Sequence, residues 1–241
     1  MKQLFSVFLA VTAFVVLASG SVQAVTINDT GDDFTINWFL AQGGSDNDGS
    51  IAPFAVSASA TFDVTSINET RVTLGVTVTN TTNTSNQSSI HSFGIGVNPN
   101  LTNVSLSQTG NVVFTNAKIL SGQQNYPGGF KQIDVCVFSP NNCNGGAFSG
   151  GLLSSSTEAF TLTIFGNFSG GSVSLNPFLI KFQTSGPSVE FAGTEGATAK
   201  GAIAKGAIAA VPEPGTLMLL GSGLTVLGLR QWRQRPKGTK A

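Results

Sequence analysis

Phe54, Val56, Ala58, Ala60, Phe62 and Val64 alternate with Ser57, Ser59, Thr61 and Asp63, and Val72, Leu74, Val76 and Val78 alternate with Thr73, Thr77 and Thr79. An apolar period of two does not suit a helix, whose residues turn by about 100° each. It fits a strand that buries one face and shows water a row of hydroxyls. Shorter apolar runs repeat the theme at Phe34–Leu40, Phe93–Val97, Val104–Leu106, Val112–Thr115, Ile133–Phe138, Phe160–Phe165, Val173–Leu175, Phe178–Phe182 and Val189–Phe191. Clusters of Gly, Asn, Asp, Ser and Pro separate them, at Gly43–Gly49, Asn80–Ser89, Asn98–Asn100, Tyr126–Gly129 and Asn141–Gly151. Short strands at this spacing, with no amphipathic helix between them, predict an all-β domain over residues 25–192, an antiparallel β-sandwich or jelly-roll-like fold. Most of the 18 Phe fall inside the strands and are expected in its core.

The two ends have a different grammar. Residues 1–24 carry Lys2 at their start, continue through an apolar stretch to Ala18 and finish at Val22-Gln23-Ala24. A basic start, a short apolar run and small residues at the cut form a secretory signal peptide, with cleavage predicted after Ala24. A permanent anchor is the poorer reading, because a span needs about 20 apolar residues. Export implies contact with the secretion machinery and signal peptidase.

At the other end Val211-Pro212-Glu213-Pro214-Gly215-Thr216 precedes the apolar run Leu217–Leu229, and Arg230, Arg233, Arg235, Lys237 and Lys240 follow. As a single hydrophobic helix, residues 216–229 would reach about 21 Å against a hydrocarbon layer of about 30 Å. A basic tail stays on the cytoplasmic side, which puts the rest of the chain across the membrane. The formal charge of zero hides this division. Residues 25–211 hold six Lys and Arg against eleven acids, and the tail carries five positive charges.

Pro212, Glu213 and Pro214, the short Gly-containing apolar run and the Arg-rich terminus, in that order, resemble the PEP-CTERM sorting signal of Gram-negative bacteria. The resemblance covers residues 211–235; the sorting segment itself is read as 212–235, with 236–241 as a tail. It implies that an exosortase in the inner membrane recognises the segment, that Pro212, Glu213 and Pro214 are the processing motif, and that the product reaches the cell surface or an exopolysaccharide (biofilm) matrix. A plain tail-anchored envelope protein is the alternative. Between domain and signal, residues 193–211 contain Ala199-Lys200-Gly201-Ala202-Ile203 repeated as Ala204–Ile208. A flexible Gly/Ala-rich linker is expected there, since Gly201 and Gly206 weaken a helix.

Cys136 and Cys143 are the only cysteines. In an exported chain a lone pair across a turn is expected to form a disulfide, and a zinc site would need further ligands. Asp134-Val135-Cys136, Asn141-Asn142-Cys143 and Phe182-Gln183, with Phe93-Gly94 and Asn98-Pro99, are similar to the cistern subgroup of PEP-CTERM proteins. That resemblance spans most of residues 50–190 and implies no enzymatic activity.

Composition narrows the chemistry. A charge balance of zero argues against a nucleic-acid partner. His91 is the sole histidine and stands between Ser89 and Ser92. With no Gly-x-Ser-x-Gly elbow it is expected to be a solvated turn residue, so no catalytic residue is assigned. No Gly-rich phosphate loop occurs, and no cofactor is expected. Asp46-Asn47-Asp48-Gly49-Ser50 resembles the opening of a calcium loop, with Asp46 and Asp48 as candidate ligands. Gly stands in the fourth place and Ser57 in the twelfth, so a tight acidic turn is the simpler reading and no metal is assigned. Trp38 and Tyr126 are the amphipathic rings that a carbohydrate-binding module could offer a glycan. Eight Asn-x-Ser/Thr triplets, at Asn28, Asn68, Asn80, Asn83, Asn86, Asn100, Asn103 and Asn167, mark surface open to modification or a polar solubility coat. The expectation is a non-enzymatic surface protein.

Overall fold

The computed structural model describes residues 24–108, 112–120, 125–139 and 142–196. The expected signal peptide up to Gln23, the linker beyond Gly196 and the sorting segment with Pro212, Glu213 and Pro214 lie outside the described residues.

Among the described residues thirteen strands occur in the order β1 Val25–Ile27, β2 Asp33–Leu40, β3 Val56–Asn68, β4 Arg71–Asn80, β5 Ser88–Asn98, β6 Leu101–Ser107, β7 Asn116–Ile119, β8 Val135–Phe138, β9 Leu152–Leu153, β10 Thr157–Gly166, β11 Val173–Thr184, β12 Ser188–Ala192 and β13 Thr194–Glu195. Among the described residues no helix is long and apolar enough to cross a membrane. One sheet has the order β1-β11-β5-β8-β7, with β12 added to β11 and β9 to β5; the other runs β13-β2-β3-β4-β10-β6. Every pairing is antiparallel.

The alternation places the core. In β3 the side chains of Val56, Ala58, Ala60, Phe62 and Val64 are buried, while Thr61 and Asp63 face water. Phe34 of β2 stacks on Phe62 with centroids 4.8 Å apart, and Phe178 of β11 meets these rings at 5.9 and 5.5 Å. Because Phe178 belongs to the other sheet, the two sheets pack face to face across these rings. Phe93 of β5 and Phe160 of β10 repeat the contact at 6.0 Å with Phe114 beside both. Each such ring contributes about 2–3 kcal/mol by leaving water.

Three expectations need correction. Val112–Thr115 is not a strand; Phe114 turns inward as a core plug, and its N–H and that of Val113 donate to the carboxylate of Glu158. The strand there is Asn116–Ile119, which pairs with β8. Val173–Leu175 and Phe178–Phe182 are one strand, whose register shifts between Leu175 and Phe178 because Pro177 has no N–H for the ladder. Thr194 and Glu195, placed by the sequence in the linker, pair with Asn37 and Ile36 of β2.

Candidate functional site

In β5 every residue from Ser88 to Val97 is buried, polar ones included. A strand buried on both faces needs a cover on each. The inner face, with Ile90, Phe93, Ile95 and Val97, belongs to the main core. The outer face is covered by two loops, and the chemistry of the described chain gathers beneath them.

Pairing across β12, β11, β5 and β8 sets Glu190, Lys181, Ser92 and Phe138 in one row and Leu179, Gly94 and Cys136 in the next. Tyr126, Ile133 and Cys143 close over the second row and form a small second core with Leu179 and Cys136. Glycine is required under this lid. A Cβ at Gly94 would lie 2.9 Å from the Tyr126 ring and 2.8 Å from Ile133, and one at Gly96 would lie 2.1 Å from the Asn176 carbonyl oxygen. The Tyr126 hydroxyl donates to the Ser92 carbonyl at 2.9 Å, and Ser92 Oγ donates to the Cys143 carbonyl at 2.9 Å. Burial holds the Tyr126 phenol far above its ordinary pKa. Cys136 and Cys143 are joined by a disulfide that ties the β8–β9 connection back to β8. Closing so short a loop contributes about 2.5 kcal/mol in the chain-entropy account.

The first row carries a buried ion pair. Lys181 and Glu190 are 6% and 2% exposed, face each other across β11 and β12, and are joined Nζ to Oε1. Burial raises the pKa of Glu190, and the Lys181 hydrogen bond opposes that rise. The loop Gly44–Ser50 is clipped over this pair. Asp46 accepts from the Glu190 N–H at 3.0 Å and from the Ser50 N–H at 2.8 Å, and Asn47 Nδ2 donates to the Gly128 carbonyl at 2.6 Å. The Asp48 pKa is lowered, chiefly by its hydrogen bond with Asp46 and then by Ser50.

Carboxylate oxygens of Asp46, Asp48 and Glu190 lie within 4.8 Å of one another. Such oxygens suit a hard cation. Asp46 also accepts backbone N–H groups and Glu190 pairs with Lys181, contacts that clip the loop to β12. The sequence offered Asp46 and Asp48; Glu190 lies far along the chain, and only the strand register brings it in.

His91 is not a solvated turn residue. It is 1% exposed, with Nδ1 3.1 Å from Ser139 Oγ and Nε2 3.1 Å from Ser89 Oγ. Its pKa is lowered by burial and then by the charge of Lys181, against a backbone hydrogen bond at Phe148. Ser89 and His91 have the spacing of a nucleophile and its base. Both are buried, and a Cβ at Gly151 would lie 2.9 Å from Nε2, so that backbone sits directly against the ring.

Trp38 and Tyr126 are each 1% exposed, which overturns their reading as sugar platforms. Trp38 lies under Gly193 and donates Nε1–H to the Phe178 carbonyl at 3.3 Å. Inside the fold each ring gives its polar donor to a covered backbone carbonyl.

Residues 210–235 match the family model of the PEP-CTERM protein-sorting motif. The match contains Pro212, Glu213 and Pro214, the apolar run and the first basic residues, and it marks an exported protein that exosortase-dependent sorting routes through the membrane to the cell surface. No curated protein matches the chain.

Proposed function

We propose that the mature protein is a non-enzymatic β-sandwich of the cell surface or an exopolysaccharide-rich matrix, cut by an exosortase at or near Pro212-Glu213-Pro214 after signal peptidase has removed residues 1–24. The observation that carries this reading is the sorting motif at residues 210–235. Burial of His91 supports the non-enzymatic part, because the one imidazole in the chain is 1% exposed. Packing of Trp38 and Tyr126 in the interior weakens a carbohydrate-binding reading through those rings.

The C-terminus of protein recovered from the cell surface tests the proposal. The expected mass lacks Arg230–Ala241. An intact basic tail, in a strain that has an exosortase, would leave a tail-anchored envelope protein. Turnover of a polysaccharide or an ester by residues 25–196, lost on changing one carboxylate, would overturn the non-enzymatic assignment.

A further inference from the structure

The eight Asn-x-Ser/Thr triplets are spread along the sequence, and the fold sorts them. Asn28 lies on the β1–β2 connection, Asn68 ends β3, Asn100 lies on the β5–β6 connection, Asn103 early in β6 and Asn167 on the β10–β11 connection. These belong to one end of the sandwich. Ile27 pairs with Val173, Asn98 with Ser174, and Phe165 with both Arg71 and Asn103. Backbone bonds join the connections, with Gly166 N–H donating to the Thr70 carbonyl at 3.0 Å and Phe168 N–H to that of Glu69 at 2.7 Å. All five asparagines are exposed, and among the described residues none of their Nδ2 atoms donates a hydrogen bond.

Asn80 shows the contrast. It is fully buried, its Nδ2 donates to the Leu152 carbonyl at 2.9 Å and its Oδ1 accepts from the Thr82 N–H at 3.2 Å. A sugar on that nitrogen would prevent the fold. At that opposite end Asn83 is exposed and Asn86 half-buried.

We infer that the five-asparagine end is an acceptor pole for N-linked oligosaccharide. The donor class is a saccharide on a lipid diphosphate at the outer side of the membrane. The Asn Nδ2 forms a bond to the anomeric carbon and gives up one proton, and the bond from that carbon to the diphosphate oxygen breaks, with the lipid diphosphate keeping the electron pair. The inference rests on export of the domain and not on where the sorting segment is cut, so the two readings can fail separately.

Peptide mapping of protein recovered from the surface of its source cells, with fragmentation that leaves glycans attached, tests the pole. The expected result is saccharide mass on at least two of the peptides that carry Asn28, Asn68, Asn100, Asn103 and Asn167, with a bare Asn80. The variant with all five changed to Gln should run at the sugar-free mass. Fewer than two occupied sites, or a saccharide on Asn80 of folded protein, would overturn the inference. Should the variant fail to fold, the map of the unaltered protein still decides.

Discussion

The Tyr126 hydroxyl bonds to both oxygens of Ser92, donating to the carbonyl at 2.9 Å and lying 3.1 Å from Oγ. One side chain thereby fastens a loop to the middle of the seven-stranded sheet, and β5 is buried on its second face. Tyr126→Phe removes the donor and keeps the ring. Loss of one buried hydrogen bond should lower stability by about 1–2 kcal/mol. Gly94→Ala, which pushes a methyl group into the same ring, should cost at least as much. Denaturant unfolding of both variants checks the ranking.

Lys181 and Glu190 should show strong coupling. Glu190→Gln leaves a buried ammonium without its counter-charge, and such a break costs about 3–5 kcal/mol. Replacing both, as Lys181→Met with Glu190→Leu, removes the two charges together and should restore most of the loss. A double-mutant cycle measures the difference, and additive losses would contradict the geometry.

Stability should fall in mild acid because of His91. Burial and Lys181 hold its folded pKa below the ordinary 6.5, so the unfolded chain binds the proton first. The stabilisation is complete above pH 6.5 and is lost as pH falls from there through the folded value. Glu158 and Glu190 act in the opposite sense, since their raised values favour the folded state as they take up protons. The pH profile of the unaltered protein minus that of His91→Gln isolates the histidine. With one His in the chain, its ring resonances report the same titration without assignment work.

Processing should depend on Glu213. If the carboxylate is read directly, Glu213→Ala slows removal of the tail several-fold while export and folding of residues 25–196 continue. Pulse-chase labelling followed by intact mass provides the rate, and an unchanged rate would show that the acid is not read.

The sequence announced β3 and β4 because each has one wet face, so apolar and hydroxyl residues alternate along them. β5 gave only half of that signal: Phe93–Val97 read as a strand, while Ser88–Ser92 did not. With both faces covered its buried set is Ser88, Ser89, His91 and Ser92 as well as Ile90 and Phe93, and a polar residue under a loop reads like one in water. The disulfide was legible because it is local. The Lys181–Glu190 pair was not, since it depends on strand register, and neither was the burial of Trp38 and Tyr126, since composition does not say which amphipathic ring has found a carbonyl inside. The sorting segment was the easiest part to read, because its recognition depends on the order of its parts along the chain and not on a fold.

The strap formed by β12 and β13 has a mechanical meaning. Gly193 N–H bonds to the Phe178 carbonyl at 2.8 Å in one sheet, and the next residues pair with β2 in the other, ending with Gly196 N–H on the Thr35 carbonyl at 2.7 Å. A pull applied at Gly196 reaches the domain first through Thr194 and Glu195, a strip of two residues. Beyond that strip the pull meets Gly193 against Trp38, where the backbone is pinned to the core. A tethered copy would thus yield a short length of slack under weak drag and resist beyond it, with the joint between the sheets as its stop.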